Sequence, residues 1–304
     1  MNELSVISEA GDWELPENEV TCANIIGSGS FGKVFKGKWR GTPVAVKVLK
    51  DITIDVNELR NDFIALTKLH HPNILQILGA CTVQEPIKIV TELMTNNLDG
   101  YTSRNTTKSQ AALWCIDIAR GLAYLHNRKP KCVIHRDLKP SNLLLTPSKR
   151  IKICDFGLSC FQIDSQEEYQ MTSDTGTYRY MAPEVITNYT NNTVKYNSSV
   201  DIYSFAIIMY TLFEEVPYLL LESSQIKNLI LSNKRSEFYN LKNDNRCNKL
   251  IKSTIINCWN AFPNKRPTAL ILIETLEEIL NVTSKYNEYK TNSKITSFNC
   301  FGYL

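Results

Sequence analysis

His135-Arg136-Asp137-Leu138-Lys139-Pro140-Ser141-Asn142 is the stretch whose reading decides the fold, and Asp155-Phe156-Gly157 follows it after a short apolar run. An aspartate five residues ahead of an asparagine, then a second aspartate further on, is the set of groups that phosphoryl transfer from a metal nucleotide needs. One carboxylate accepts the proton of an incoming hydroxyl, while an amide and another carboxylate hold magnesium against the phosphates. Either motif alone arises by coincidence. The two in this order are specific.

Upstream, Val44-Ala45-Val46-Lys47 ends an apolar run on one lysine. A buried ammonium is costly without partners, and α/β-phosphate oxygens plus a helix carboxylate would supply them. The alternative is an edge-strand lysine facing water. Further upstream, Gly27-Ser28-Gly29-Ser30-Phe31-Gly32-Lys33-Val34 fits G-x-G-x-x-G-x-V. Glycines there let a β-turn lie flat over phosphates, so that backbone N–H groups reach the oxygens. A dinucleotide-binding loop of the same pattern should open a helix, whereas Lys33 to Trp39 reads on as a strand. A glycine-rich hairpin without a ligand is the bland alternative.

The element pattern is α+β. Val20 to Leu49 predicts three antiparallel strands with tight turns. Asp55 to Leu69 carries apolar residues at 56, 59, 63, 66 and 69, a helical period stopped by His71-Pro72-Asn73. Ile74 to Leu78 and Ile87 to Leu93 read as two more strands. Beyond Leu93 the chain turns helical, over Ser109 to His126, Ser199 to Phe213, Lys249 to Trp259 and Thr268 to Leu280. Asparagine-rich stretches at 188–197 and 240–248 read as loops, the first dozen residues as a loose polar segment, and the residues after about Val282 as a tail.

Across roughly residues 20–280 the chain resembles a eukaryotic-type protein kinase. The resemblance implies a bilobal α+β fold with ATP between the lobes. A small antiparallel-sheet lobe with one αC helix would span about 20–93, and a larger, mostly helical lobe about 94–281, flanked by an extension at 1–19 and a tail at 282–304. Carried over residue by residue, Gly27, Ser28, Gly29, Ser30, Phe31 and Gly32 would cover the phosphates, and Lys47 would hold the α/β-phosphates. Asp137 would be the base, Lys139 would steady the γ-phosphate, and Asn142 and Asp155 would bind Mg2+. Val34, Ala45 and Leu144 match the positions that sandwich adenine; Thr91 falls at the gatekeeper, with Glu92 to Met94 as the hinge.

Structural matches accompany these. Ala182-Pro183-Glu184 resembles the motif closing the activation segment, Arg266 its ion-pair partner, and Asp201 the helix aspartate that anchors the catalytic loop. Trp13-Glu14-Leu15 and Cys258-Trp259 resemble the tyrosine-kinase-like group, which includes Raf-type and mixed-lineage kinases. Lys139 and the Gly176-Thr177 segment nevertheless match its serine/threonine members, with dual specificity left open. Arg136 would meet a phosphate on the activation segment, with Ser173 as the best-placed acceptor and Thr172 and Thr175 beside it; the alternative is that Asp174 already supplies the negative charge and no modification is needed.

Three positions depart from the family. The αC glutamate is replaced by Asp62, nine residues before His71, with Glu58 one turn earlier as a substitute. Ala206 stands where glycine is usual, and Glu214-Glu215-Val216-Pro217 lacks the glycine before its proline. The leading expectation is a serine/threonine kinase of intracellular signalling that uses ATP and Mg2+ on protein substrates. The competing one is a pseudokinase or weakly active scaffold that binds nucleotide and partner proteins, and a small-molecule kinase comes third.

Composition narrows the rest. A net charge of +3 in 304 residues gives no reason to expect nucleic acid or anionic membrane as partner. Nine cysteines lie singly at 22, 81, 115, 132, 154, 160, 247, 258 and 300, without a C-x-x-C pair, so neither a zinc site nor a disulfide framework is expected. Most are expected to be reduced core thiols, with Cys154, just before Asp155, as a candidate exception at a position that could face bound nucleotide. No apolar run approaches the roughly 20 residues of a membrane helix. Signal-peptide, myristoylation and prenylation patterns do not fit either, and a cytoplasmic protein is expected. Oligomeric state is not legible.

Overall fold

The computed structural model describes residues 13–29, 32–50, 66–129, 132–155, 178–188, 197–242 and 245–299. The described residues up to Asn97, with Leu144 to Asp155, form one compact unit; Leu98 to Leu143 and the described residues from Tyr178 onward form the other.

The first unit is built on a five-stranded antiparallel sheet in the order β1-β2-β3-β5-β4, with β1 Val20–Gly29, β2 Gly32–Trp39, β3 Thr42–Leu49, β4 Ile77–Cys81 and β5 Lys88–Glu92. Alternation of β-branched and polar residues sends Val44 and Val46 of β3 into a core with Leu15, Val20, Cys81 and Val90. The register sets Val34 opposite Lys47 and Ala45 opposite Thr91. Trp13 to Leu15 cover the edge of β4 through Leu15 N to Ala80 O (2.7 Å) and Ala80 N to Trp13 O (2.9 Å). A smaller sheet joins β6 Asn96–Asn97, β7 Leu143–Leu145 and β8 Ile151–Ile153.

One strand sits later than its sequence suggests. The strand expected over 74–78 runs from Ile77 to Cys81, while Ile74 makes an isolated parallel bridge to Ile153. Asn73 explains the shift. Its Nδ2 donates to Ile151 O (2.9 Å), its carbonyl accepts Ile153 N (2.9 Å), and its own N–H goes to His71 Nδ1 (3.1 Å). Ile74 is thereby committed to β8 before β4 begins. Of the helix expected over 55–69, residues 55–65 lie outside the described residues.

The second unit is helical: α1 Lys108–His126, α2 Pro183–Asn188, α3 Ser199–Phe213, α4 Ser223–Leu231, α5 Arg246–Cys258 and α6 Ala269–Asn299. α3 is buried from Val200 to Phe213; α1 and α5 pack against it, and α6 packs against α1 and α5. Two helix ends correct the expectation. Asn245 caps α5, its side chain accepting Asn248 N (2.8 Å), so 246–248 form a helical first turn rather than a loop. α6 continues past Leu280 to Asn299, and neither glycine nor proline occurs between those two residues to stop it.

Candidate active site

The acid at the centre of the decisive motif stands on a loop that a buried carboxylate holds. Asp201, in the first turn of α3, is fully buried and accepts the backbone N–H groups of His135 and Arg136 at 2.9 Å each. His126 Nε2, at the end of α1, lies 2.8 Å from the same carboxylate. Burial pushes the Asp201 carboxyl up, but the His126 hydrogen bond, the charges of His126 and His135 and the His135 N–H outweigh it and hold the group below its ordinary value. The two N–H bonds also keep Arg136 at φ 67°, a left-handed conformation that few side chains adopt.

Beyond this clamp the expected residues come together. Lys139 Nζ lies 2.8 Å from Asp137 Oδ2. Asn142 Nδ2 donates to Asp137 O (2.8 Å) and to Asp137 Oδ2 (3.1 Å), from the short 3-10 turn Pro140–Asn142. A carboxylate, an ammonium and a carboxamide thus share one loop. With Nδ2 turned to Asp137, the amide oxygen of Asn142 is the atom that offers lone pairs to a cation.

The first unit carries the remaining expected residues. Gly27, Ser28 and Gly29 pair with Val34, Lys33 and Gly32 across the β1–β2 hairpin. A Cβ on Gly32 would lie 2.1 Å from Val48 O, so only glycine fits there. Ser30 and Phe31 lie outside the described residues. Lys47 forms an ion pair with the Asp155 carboxylate, and Asp155 takes φ 59° to present it. The helix carboxylates considered for Lys47, Asp62 and Glu58, lie outside the described residues, so Asp155 is the partner on view. Val34, Ala45 and Leu144 are half-buried. Thr91 donates from Oγ1 to Glu92 O (3.2 Å), and Glu92 and Met94 continue the chain toward β6.

Two features escaped the sequence reading. Ile26, 51% exposed, is an apolar side chain standing in water immediately before Gly27. An unpaired apolar residue beside a glycine turn could have signalled it. The Glu92 side chain is engaged as well, accepting Gln76 N (2.8 Å) and the Lys152 ammonium (2.6 Å). No local pattern announces these partners, 16 and 60 residues away.

Residues 20–276 match the family of protein tyrosine and serine/threonine kinases. The chain belongs to this family. Its relatives include the serine/threonine-protein kinase VIK of Arabidopsis thaliana, 39% identical over 282 residues that cover 88% of this chain and 62% of that protein. The tyrosine-protein kinase FRK of Homo sapiens is 31% identical over 286 residues, 91% of this chain and 54% of that one. The dual specificity protein kinase shkC of Dictyostelium discoideum is 34% identical over 286 residues, 89% of this chain and 53% of that one. The chain therefore spans little more than half to three-fifths of the length of these relatives.

In this family member, Glu184 of α2 meets Arg266 in a two-pronged pair, Nη1 to Oε1 at 2.6 Å and Nη2 to Oε2 at 2.8 Å. Arg266 also donates to Asn260 O (2.8 Å) and Ser199 O (3.0 Å) and lies over the Tyr203 ring. The activation-segment residues Thr172, Ser173, Asp174, Thr175 and Thr177 lie outside the described residues. Among the described residues all cysteines are free, and Cys81, Cys115, Cys154, Cys247 and Cys258 are buried. Burial pushes the Cys81 thiol up to about 12, which leaves it inert as a nucleophile. Cys154, singled out as an exception, is only 8% exposed. Among the described residues no helix is long and apolar enough to cross a membrane.

Proposed function

We propose that this chain transfers the γ-phosphate of Mg-ATP to serine and threonine hydroxyls of protein substrates, in the cytoplasm. The observation that carries the reading is the Asp137–Lys139–Asn142 cluster on a loop fixed by Asp201. Asp137 accepts the proton of the substrate hydroxyl as that oxygen attacks, and Lys139 neutralises charge on the transferred group. Gly27 to Gly32 lay backbone N–H groups on the phosphates. Lys47 would bind the α/β-phosphates, Val34, Ala45, Leu144 and Ile26 would offer adenine apolar side chains beside Thr91 in sequence register, and Glu92 and Met94 would offer it backbone groups.

Asn142 and Asp155 each offer oxygen, the donor type that a hard divalent cation takes. Magnesium would need few such protein ligands and would complete its shell with phosphate oxygens and water. When bound, Mg-ATP supplies the phosphoryl group and screens the charge that develops on it. Serine/threonine choice rests on Lys139, which sits against the base, and is in keeping with the named specificity of the VIK relative. The buried, free cysteines support a reducing compartment.

Phosphate transfer from Mg-ATP to a generic basic protein, followed by phosphoamino-acid analysis, tests the proposal. Asp137→Asn should lower turnover about 10²–10⁴-fold, the usual contribution of a general base, with Mg-ATP affinity nearly unchanged. Undiminished turnover in that variant would overturn the mechanism. Phosphotyrosine as the product would overturn the substrate class.

A further inference from the structure

We infer that Lys36 and Lys38 form an electrostatic rail that steers Mg-ATP onto one face of the β2–β3 hairpin; this rests on the function proposed above. The register between β2 and β3 is unbroken, from Gly32 opposite Leu49 to Trp39 opposite Thr42. Residues opposite each other therefore share a face, and successive residues alternate between the two faces. Val44 and Val46 are buried in the sheet core. Ala45 and Lys47 point to the other face, and so do Lys36, which stands opposite Ala45, and Val34, which stands opposite Lys47. Lys38, opposite Pro43, continues the same line, and Thr91 shares the row of Lys36 and Ala45. The face that carries Val34, Ala45 and Lys47, proposed above to bind nucleotide, thus also carries two lysines running outward from them.

Both lysines are exposed, and neither has a carboxylate within ion-pair distance among the described residues. The neighbouring cations are compensated. Arg40 donates to Glu19 through Nε (2.7 Å) and Nη2 (3.0 Å), and Lys47 is paired with Asp155. Residues 20–32 carry no charge, and Lys33, opposite Val48, belongs to the core-side row. The net field along this face of the hairpin therefore comes from Lys36 and Lys38. An exposed lysine alone is an ordinary solvated group; the shared face and the compensated neighbours give these two a direction. Mg-ATP is a net dianion. A fixed positive field beside its site raises the rate at which it arrives, with no contact required once it is bound.

The test compares wild type with Lys36→Gln, Lys38→Gln and the double variant. Lys234→Gln with Lys242→Gln is the control, removing two exposed charges from the other unit. Stopped-flow binding of a fluorescent Mg-ATP analogue gives association and dissociation rates separately and does not rely on turnover. Salt is raised from about 0.02 to 0.5 M, which shortens the Debye length from roughly 20 Å to about 4 Å. At low salt the double variant should associate about two- to fivefold more slowly, with each single variant in between. Its association rate should also fall less steeply as salt is added, and should meet that of wild type at about 0.5 M. Dissociation rates should match wild type throughout.

An equal loss of association rate in the control would overturn the inference, since overall charge rather than this face would then be the cause. Faster dissociation that persists at high salt would also overturn it, because the lysines would then be contacts of the bound nucleotide. A wild-type protein that binds no nucleotide defeats the proposed function and this inference together. A wild type that binds, with a double variant of the same association rate and salt dependence, defeats this inference alone.

Discussion

Asp201→Asn is the substitution that most directly tests how the catalytic loop is held. The carboxylate accepts two backbone N–H groups at 2.9 Å, one on each oxygen, and the residue is fully buried. Asparagine keeps one oxygen and sets an NH2 group against the other N–H. One charge-assisted bond, worth about 1.5–3 kcal/mol, is lost, and a buried N–H left unsatisfied adds roughly 1–3 kcal/mol. A total of about 2.5–6 kcal/mol corresponds to a fall of roughly 4–9 °C in melting temperature for a chain of this size. The pH dependence has a definite sign. The folded carboxyl is held below its ordinary value of 3.8, so its contribution is fully present above that value and disappears as the pH falls through the lower, folded one. The difference between wild type and variant should therefore narrow in acid, as the carboxylate is protonated. Thermal melting across pH, alongside phosphate transfer, reads both. A shift under about 2 °C with intact turnover would refute the anchor.

Gly79→Ala would place a Cβ 2.5 Å from Leu15 Cγ and 2.6 Å from Trp13 O. It should cost about 1–3 kcal/mol of stability, read as a lowered melting temperature. Arg266→Met strands the Glu184 carboxylate, which is 18% exposed, and should destabilise by about 3–5 kcal/mol; the double variant with Glu184→Met should recover part of that loss. For Lys47, Asp62→Glu should raise basal transfer and Asp62→Ala nearly abolish it if Asp62 is the helix partner, whereas Glu58→Ala becomes the damaging change if Glu58 is. Assays in which all three variants match wild type would remove the helix ion pair from the account.

Local patterns carried the elements whose partners are near in sequence. The β1–β3 meander was legible because each strand pairs with the next through a short turn, and α3 because its buried run is unbroken. What stayed hidden depended on distant partners or on residues with two uses. Asn73 commits its neighbour to a strand 78 residues away, which no window around 74–78 can register. Asn245 looks like loop composition, yet the same short amide that favours turns also caps a helix. Trp13 to Leu15 read as a flank of the domain, but Leu15 belongs to the sheet core and the Glu14 carboxylate accepts Thr82 N at 2.7 Å. In the site, residue types and order gave Asp137, Lys139 and Asn142 as a group, while the engagement of Glu92 needed coordinates.

A common device links these hidden contacts. Loop N–H groups have no ladder to join, and an unpaired buried one is costly. A carboxylate accepts several at once and binds each more strongly than a neutral oxygen does. Asp201 does this for the catalytic loop, Glu92 for the entry to β4, and Glu14 for Thr82. Glu214 does it most completely: 1% exposed, it accepts Tyr239 N at 3.0 Å, Asn240 N at 2.7 Å and Leu241 N at 2.8 Å. It occupies the position where the family's usual glycine is missing. A glutamate arriving there by decay would point to water or unsettle the end of α3. This one is buried with three donors arranged around it, an arrangement that needs the backbone at 239–241 to match. The departure is a built clamp on the backbone at 239–241.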